Sequence, residues 1–365
     1  MEARSIPAAI ARPEARRRAL AVPWPLATTV FAATSIIVGL IWDISWHISI
    51  GRDTFWTPAH MGIYVGGSTA GLANAYLILR TTFAGSAEER DRAVRFWGFR
   101  GPLGAFVSVW GAGAMLTSAP FDDWWHAAYG LDVEILSPPH TVLLVGILFV
   151  LGGAAITALT AQNRAEAARD PRAGSYRAIF AYAMALLTTM FALAVWSDTR
   201  WHIGRSAHFY LYAAVPFPLV LAASARALRL RWPATTVALA YMALFVGMTW
   251  LLAPWPATPK LGPIHQDLTR MSTLGFPLLL AAPALAVDLL VRRLGRLPPS
   301  LVALLVGAAF MVAMLAVHWP FSAFMLSPAS HNWFFAGDHY PYNLPKDSHW
   351  YRGEFLALDA TAAEL

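Results

Sequence analysis

A run of roughly 20 apolar residues is long enough to cross a bilayer as a helix. Nine such runs follow one another along this chain, at about 24–45, 58–80, 101–120, 138–161, 177–197, 208–225, 233–252, 273–291 and 298–318. Lipid offers no hydrogen-bond partner to an unpaired strand, so the runs are read as helices and the fold class as all-α. The expected architecture is a polytopic membrane bundle of about nine transmembrane helices. A chain with 57% hydrophobic and only 13% charged residues cannot cover itself with a soluble surface. The absence of Cys excludes disulfides, thiolate metal sites, iron–sulfur clusters and a Cys nucleophile. Any metal must therefore be held by His, carboxylate, amide or Met.

The net charge of +6 does not point to nucleic acid, because the basic residues are mostly Arg in short loops between apolar runs. With the N-terminus inside, 20 of the 27 Lys and Arg fall in inner segments. Seven lie outside: Arg52, Arg200, Arg205, Lys260, Arg270, Lys346 and Arg352. This bias predicts a cytoplasmic N-terminus, with the first run retained as a span, in an inner (cytoplasmic) membrane. The chain then divides into a basic tail (1–23), a four-helix unit (24–161), five further helices (162–319) and an outer tail rich in aromatics and His (320–365). All eleven His fall at outer span ends, in outer loops or in that tail. An aromatic belt would account for outward Trp, but not for His.

Asp-x-x-Trp-His closes three outward-going helices: Asp43-Ile-Ser-Trp46-His47, Asp122-Asp123-Trp124-Trp125-His126 and Asp198-Thr-Arg-Trp201-His202. Positions i and i+4 stack on one helix face, so each Asp and His can share one ion. The first copy leads to Thr57-Pro58-Ala59-His60 and the second to Ser137-Pro138-Pro139-His140. Pro suits the first turn of a helix, which places His60 and His140 at the start of the returning spans. Asp43, His47 and His60 form one expected metal site at the outer face, and Asp122, His126 and His140 another. Such triads suit copper, iron or zinc, with positions open for water, oxygen or substrate. The competing reading has Asp and His pairing with each other and capping helix ends.

The third copy is expected to be a metal-free Asp–Arg–His network, since Arg200 and Arg205 lie beside Asp198, His202 and His208. His265 with Asp267 reads as a loop pair, and the tail with His331, Asp338, His339 and His349 as a cap over the hairpins. Asp288, inside the eighth run, is expected to pair with Arg292 at the inner boundary. A bis-His haem would not need the Asp at i−4. No phosphate loop, Walker motif or G-x-S-x-G elbow is present.

Over about residues 24–160 these motifs resemble the C subunit of the copper membrane monooxygenases, the particulate methane and ammonia monooxygenase family. Asp43-x-x-Trp46-His47, Arg52-Asp53-Thr54, Phe55 and Thr57-Pro58-x-His60 are similar to that family's Asp/His/His copper site. The second set is similar to the neighbouring Asn/His/His copper site, with Asp122 where the Asn would stand, then Trp124, His126, Glu134 and Pro138-x-His140. The resemblance implies copper at both sites, catalysis at Asp122, His126 and His140, and partner subunits, possibly in a trimer. It also implies oxygen and a small lipid-partitioning substrate such as a hydrocarbon or ammonia. The alternative function is non-catalytic: membrane metal binding, delivery or scaffolding.

Overall fold

A computed structural model describes residues 22–50, 55–129, 137–195, 203–257, 269–272, 274–294 and 297–337. Seven of its helices are long and apolar enough to cross a membrane, so the chain is a multi-pass helical bundle. The first four long helices form two antiparallel hairpins. Helix α1 (Trp24–Ser49) packs on α2 (Pro58–Ala84), and α4 (Leu103–Tyr129) packs on α5 (Pro138–Ala167). Between them lie the single-turn helix α3 (Ala87–Asp91) and the strands β1 (Val94–Phe96) and β2 (Phe99–Gly101). The second half holds α6 (Ala173–Val195), α7 (Ala207–Ala213), α8 (Pro216–Ala227), α9 (Pro233–Leu252), α10 (Ala281–Arg293) and α11 (Pro299–Met325).

Small residues set how closely the hairpin helices approach, as expected where packing rather than hydrophobic exclusion drives association. A Cβ at Gly66 of α2 would lie 2.6 Å from Ile36 Cγ1 and 2.7 Å from the Ala32 carbonyl of α1. Gly111 of α4 and Gly146 of α5 touch backbone to backbone in the same way: a Cβ on Gly111 would lie 2.5 Å from the Gly146 oxygen. Helices α2 and α4 also run antiparallel, since Gly67 faces Met115, Gly71 faces Ala112 and Gly101 faces Ile78. The C-terminal ends of α1 and α4 and the N-terminal ends of α2 and α5 therefore share one end of the bundle. That end carries both expected metal sites.

Among the described residues the bundle is helical apart from one small hairpin, in which β1 and β2 pair antiparallel with Arg95 opposite Arg100 and Phe96 opposite Phe99. The hairpin turn has positive φ at both Trp97 (48°) and Gly98 (87°), the signature of a two-residue type I′ turn.

The structure corrects two expectations, the eighth run and the pairing of Asp288. The eighth run is not a continuous span: only Ala281–Arg293 is helical. Gly275 at φ 89° and Pro277 keep the preceding stretch irregular. Non-helical backbone is tolerated at membrane depth only where protein satisfies it, and here it does. Tyr241 Oη accepts from Leu278 N–H at 3.0 Å, and Thr249 Oγ1 donates to the Gly275 carbonyl at 3.0 Å. Leu274, Leu278 and Leu280 are buried.

Asp288 makes no ion pair with Arg292. Its buried carboxylate accepts from the N–H groups of Ala234 (3.0 Å) and Thr235 (2.9 Å) and from the Thr235 hydroxyl (2.8 Å). Helix α9 has no side-chain cap of its own, so Asp288 satisfies its orphan N-terminal donors from a neighbouring helix, where the macrodipole favours negative charge. Arg292 instead lies over the Trp232 ring, 4.3 Å from its centroid, and donates to the Arg231 carbonyl.

Candidate metal centres

In the first hairpin, Asp43 and His47 lie one helical turn apart near the end of α1, and Pro58 starts α2 so that His60 falls in its first turn. His60 Nε2 stands 3.2 Å from Asp43 Oδ1, and His47 Nε2 stands 3.8 Å from Oδ2. The Asp43 side chain is only 13% exposed, whereas His47 is 49% exposed. The second hairpin repeats the arrangement more tightly. His126 Nε2 lies 3.3 Å from Asp122 Oδ2, and His140 Nε2 lies 3.3 Å from Oδ1. Ser137 caps α5 by accepting from His140 N–H at 3.3 Å, which fixes the backbone carrying that ligand. Pro120, two residues before Asp122, removes one intrahelical N–H from α4, in the turn just ahead of the one that presents Asp122 and His126.

In each triad one ligand atom per residue lies within 4.8 Å of the others. Among the described residues these are the two such groups. The donor chemistry tests whether a metal fits. Asp43 Oδ1 and Asp122 Oδ1 are buried and accept no hydrogen bond, although an imidazole Nε2 lies 3.2–3.3 Å from each. A buried acceptor left bare costs about 1–3 kcal/mol, and a cation shared with the two imidazoles removes that cost. Two neutral nitrogens and one carboxylate oxygen form a borderline donor set suited to copper, zinc or iron, and three protein ligands leave a position open.

Several neighbours of the first site were not singled out in the sequence. Tyr64 follows His60 by four residues, with ring centroids 5.9 Å apart, and it also packs on Phe55. The i+4 spacing was the available signal. Ser45 and Ser49, on the same end of α1, bind the distant residue Ser272. The Ser45 hydroxyl donates to the Ser272 carbonyl, and Ser49 Oγ accepts from Ser272 N–H at 2.6 Å while donating to the Ser45 carbonyl at 2.7 Å. No local pattern announces a partner more than 200 residues away.

Asp198, Arg200 and His202 of the third motif lie outside the described residues, as do Arg52–Thr54, Glu134, His265, Asp267, Asp338, His339 and His349. His208 is exposed at the start of α7, and Arg205 lies over the Trp319 ring at 5.2 Å. His318 is buried in α11, its Nδ1 3.2 Å from Ser322 Oγ and its ring stacked on Phe209. The described part of the tail packs on the second half of the bundle: the Phe334 carbonyl accepts from Trp250 Nε1, and Phe335 packs on Phe276 and Phe324.

Compared with protein-family models, curated proteins and solved structures, the chain matches none.

Proposed function

We propose that this chain is the metal-bearing component of a copper-dependent membrane monooxygenase, acting on a small lipid-partitioning substrate. The observation that carries the reading is the duplicated Asp–His–His triad, built twice by the same device at one end of a membrane bundle. Copper bound at such a site would supply one-electron redox chemistry and oxygen activation. The residues of the chain hold and orient it. Asp122 contributes the charged oxygen, His126 and His140 approach from two helices, and the Ser137 cap limits the motion of the His140 backbone. Apolar helix walls give a lipid-soluble substrate access while slowing water. In the proposed topology nine spans run from a cytoplasmic N-terminus, the triads face the exterior, and partner subunits supply electrons.

Metal analysis of the purified protein, with spectroscopic identification of the ion, is the direct test. Two copper ions per chain are expected, falling to one in either His60→Ala or His140→Ala. Activity supplied with reductant and oxygen should vanish only in His140→Ala. Metal-free protein that regains no copper would refute the reading.

A second reading has an observation of its own: His47 is half exposed and 3.8 Å from Asp43, an open ligand suited to handing a metal to another protein. Under that reading copper, zinc or iron passes between proteins. Transfer to a chelating acceptor then proceeds without any oxygen-dependent turnover.

A further inference from the structure

The end of the bundle away from the triads carries a second built feature. The β1–β2 hairpin is amphipathic. Alternation along paired strands places Val94, Phe96 and Phe99 on one face and Arg95 with Arg100 on the other. Its position is fixed. Thr82 Oγ1 of α2 accepts from Arg100 N–H at 2.8 Å while its own proton goes to the Ile78 carbonyl at 2.8 Å, and a Cβ on Gly101 would strike Ile78. The aromatic face leans on the flanks of the transmembrane helices: Phe96 packs on Phe106 and Trp110, and Phe99 on Phe83. Trp97 at the turn stays 78% exposed. Type I′ turns favour Asn or Gly at that position, and a bulky residue at positive φ is unusual.

The arginine face carries no carboxylate: Arg100 Nη1 reaches only the Arg90 carbonyl, at 3.4 Å. Like charges directly opposite one another destabilise a strand pair, yet Arg95 and Arg100 pair with no carboxylate among the described residues. Of the acids of α3, Glu88 pairs with Arg92 and Glu89 with Arg80, while the exposed Asp91 makes no ion pair among the described residues. We infer that this hairpin is a lipid-docking device: Trp97 and the aromatic face enter the interfacial layer of the bilayer, and Arg95 and Arg100 together hold the phosphate of an anionic phospholipid headgroup. Charge complementarity selects that occupant, since two opposed guanidiniums need a shared anion and the aromatic face already fixes the depth. This inference rests on the hairpin alone and stands or falls independently of the metal reading.

The chain has no Cys, so Trp97→Cys gives a single labelling site in the full-length protein. A spin label there, in vesicles of phosphatidylcholine with or without phosphatidylglycerol, should report interfacial depth by its accessibility to oxygen. A fully water-exposed label in both compositions overturns the inference. Retention of phosphatidylglycerol by the purified protein, read by native mass spectrometry, should fall about thirtyfold in Arg95→Gln/Arg100→Gln, at about fivefold per arginine. Arg169→Gln, an exposed arginine at the same end, should leave retention unchanged. Equal loss in that control, or no loss in the double variant while its gel-filtration profile stays native, also overturns it.

Discussion

Replacing Gly66 by alanine tests whether the crossing of α1 and α2 sets the first metal centre. The new Cβ would sit 2.6 Å from Ile36 Cγ1 and 2.7 Å from the Ala32 carbonyl, where ordinary contact begins at 3.4 Å. Ile36 can rotate, but a backbone oxygen cannot, so the helices must separate by on the order of 1 Å. Metal–ligand distances tolerate about 0.2 Å, and His60 lies on α2 while Asp43 and His47 lie on α1. Overpacking should cost about 1–3 kcal/mol, partly offset by about 1 kcal/mol from the better helix propensity of alanine. The larger effect is local, a tenfold to hundredfold loss of metal affinity, the range seen when ligand orientation is disturbed. Titration in a His140→Ala background reports the first centre alone, and titration in a His60→Ala background the second. Gly113→Ala is the control, because nothing lies within 4 Å of its Cβ. Unchanged affinity at the first centre, or equal loss at both, would refute the reasoning.

Asp288→Ala should lower stability by about 3–5 kcal/mol, since it strips charged hydrogen bonds from the two N-terminal amides and the Thr235 hydroxyl; thermal unfolding in detergent checks this, and Asp288→Asn should fall between. Ser45→Ala/Ser49→Ala removes the contacts to Ser272 and should weaken the first centre about tenfold, read by the same titrations, with the second unaffected. Asp122→Asn should keep metal at the second centre, because an amide oxygen still ligates, but raise a copper potential by removing one negative charge, as voltammetry would show. Reporter fusions in the 162–176 and 254–270 loops should fall on opposite sides of the membrane; both on one side would refute the nine-span topology.

The helical bundle was legible because apolar runs of bilayer length leave few alternatives. The triads were legible because an i, i+4 pair and a Pro-x-His are local patterns whose geometry follows from helix periodicity. What escaped the sequence was nonlocal. Residues 274–280 read as part of a span because apolarity marks burial but not helix, and the groups that free this stretch from helical bonding, Tyr241 and Thr249, lie on another helix. Asp288 was matched to Arg292 by the same i, i+4 rule that found the metal ligands. It failed here because two backbone amides of α9 offered better donors. The β-hairpin was hidden in the short loop between the runs ending at 80 and starting at 101, where Trp-Gly is a rare form of a turn usually written Asn-Gly.

The broken eighth run also bears on how the protein enters the membrane. A segment with only 13 helical residues has too little hydrogen-bonded length to partition into lipid as an independent unit. Its irregular half becomes admissible only after Tyr241 and Thr249 of α9 and the serines of α1 stand ready to receive it. Integration therefore depends on tertiary contacts already made by helices that precede the broken segment along the chain. Helices α1 and α9 must already be assembled, and α10 then joins together with α11, against which it packs.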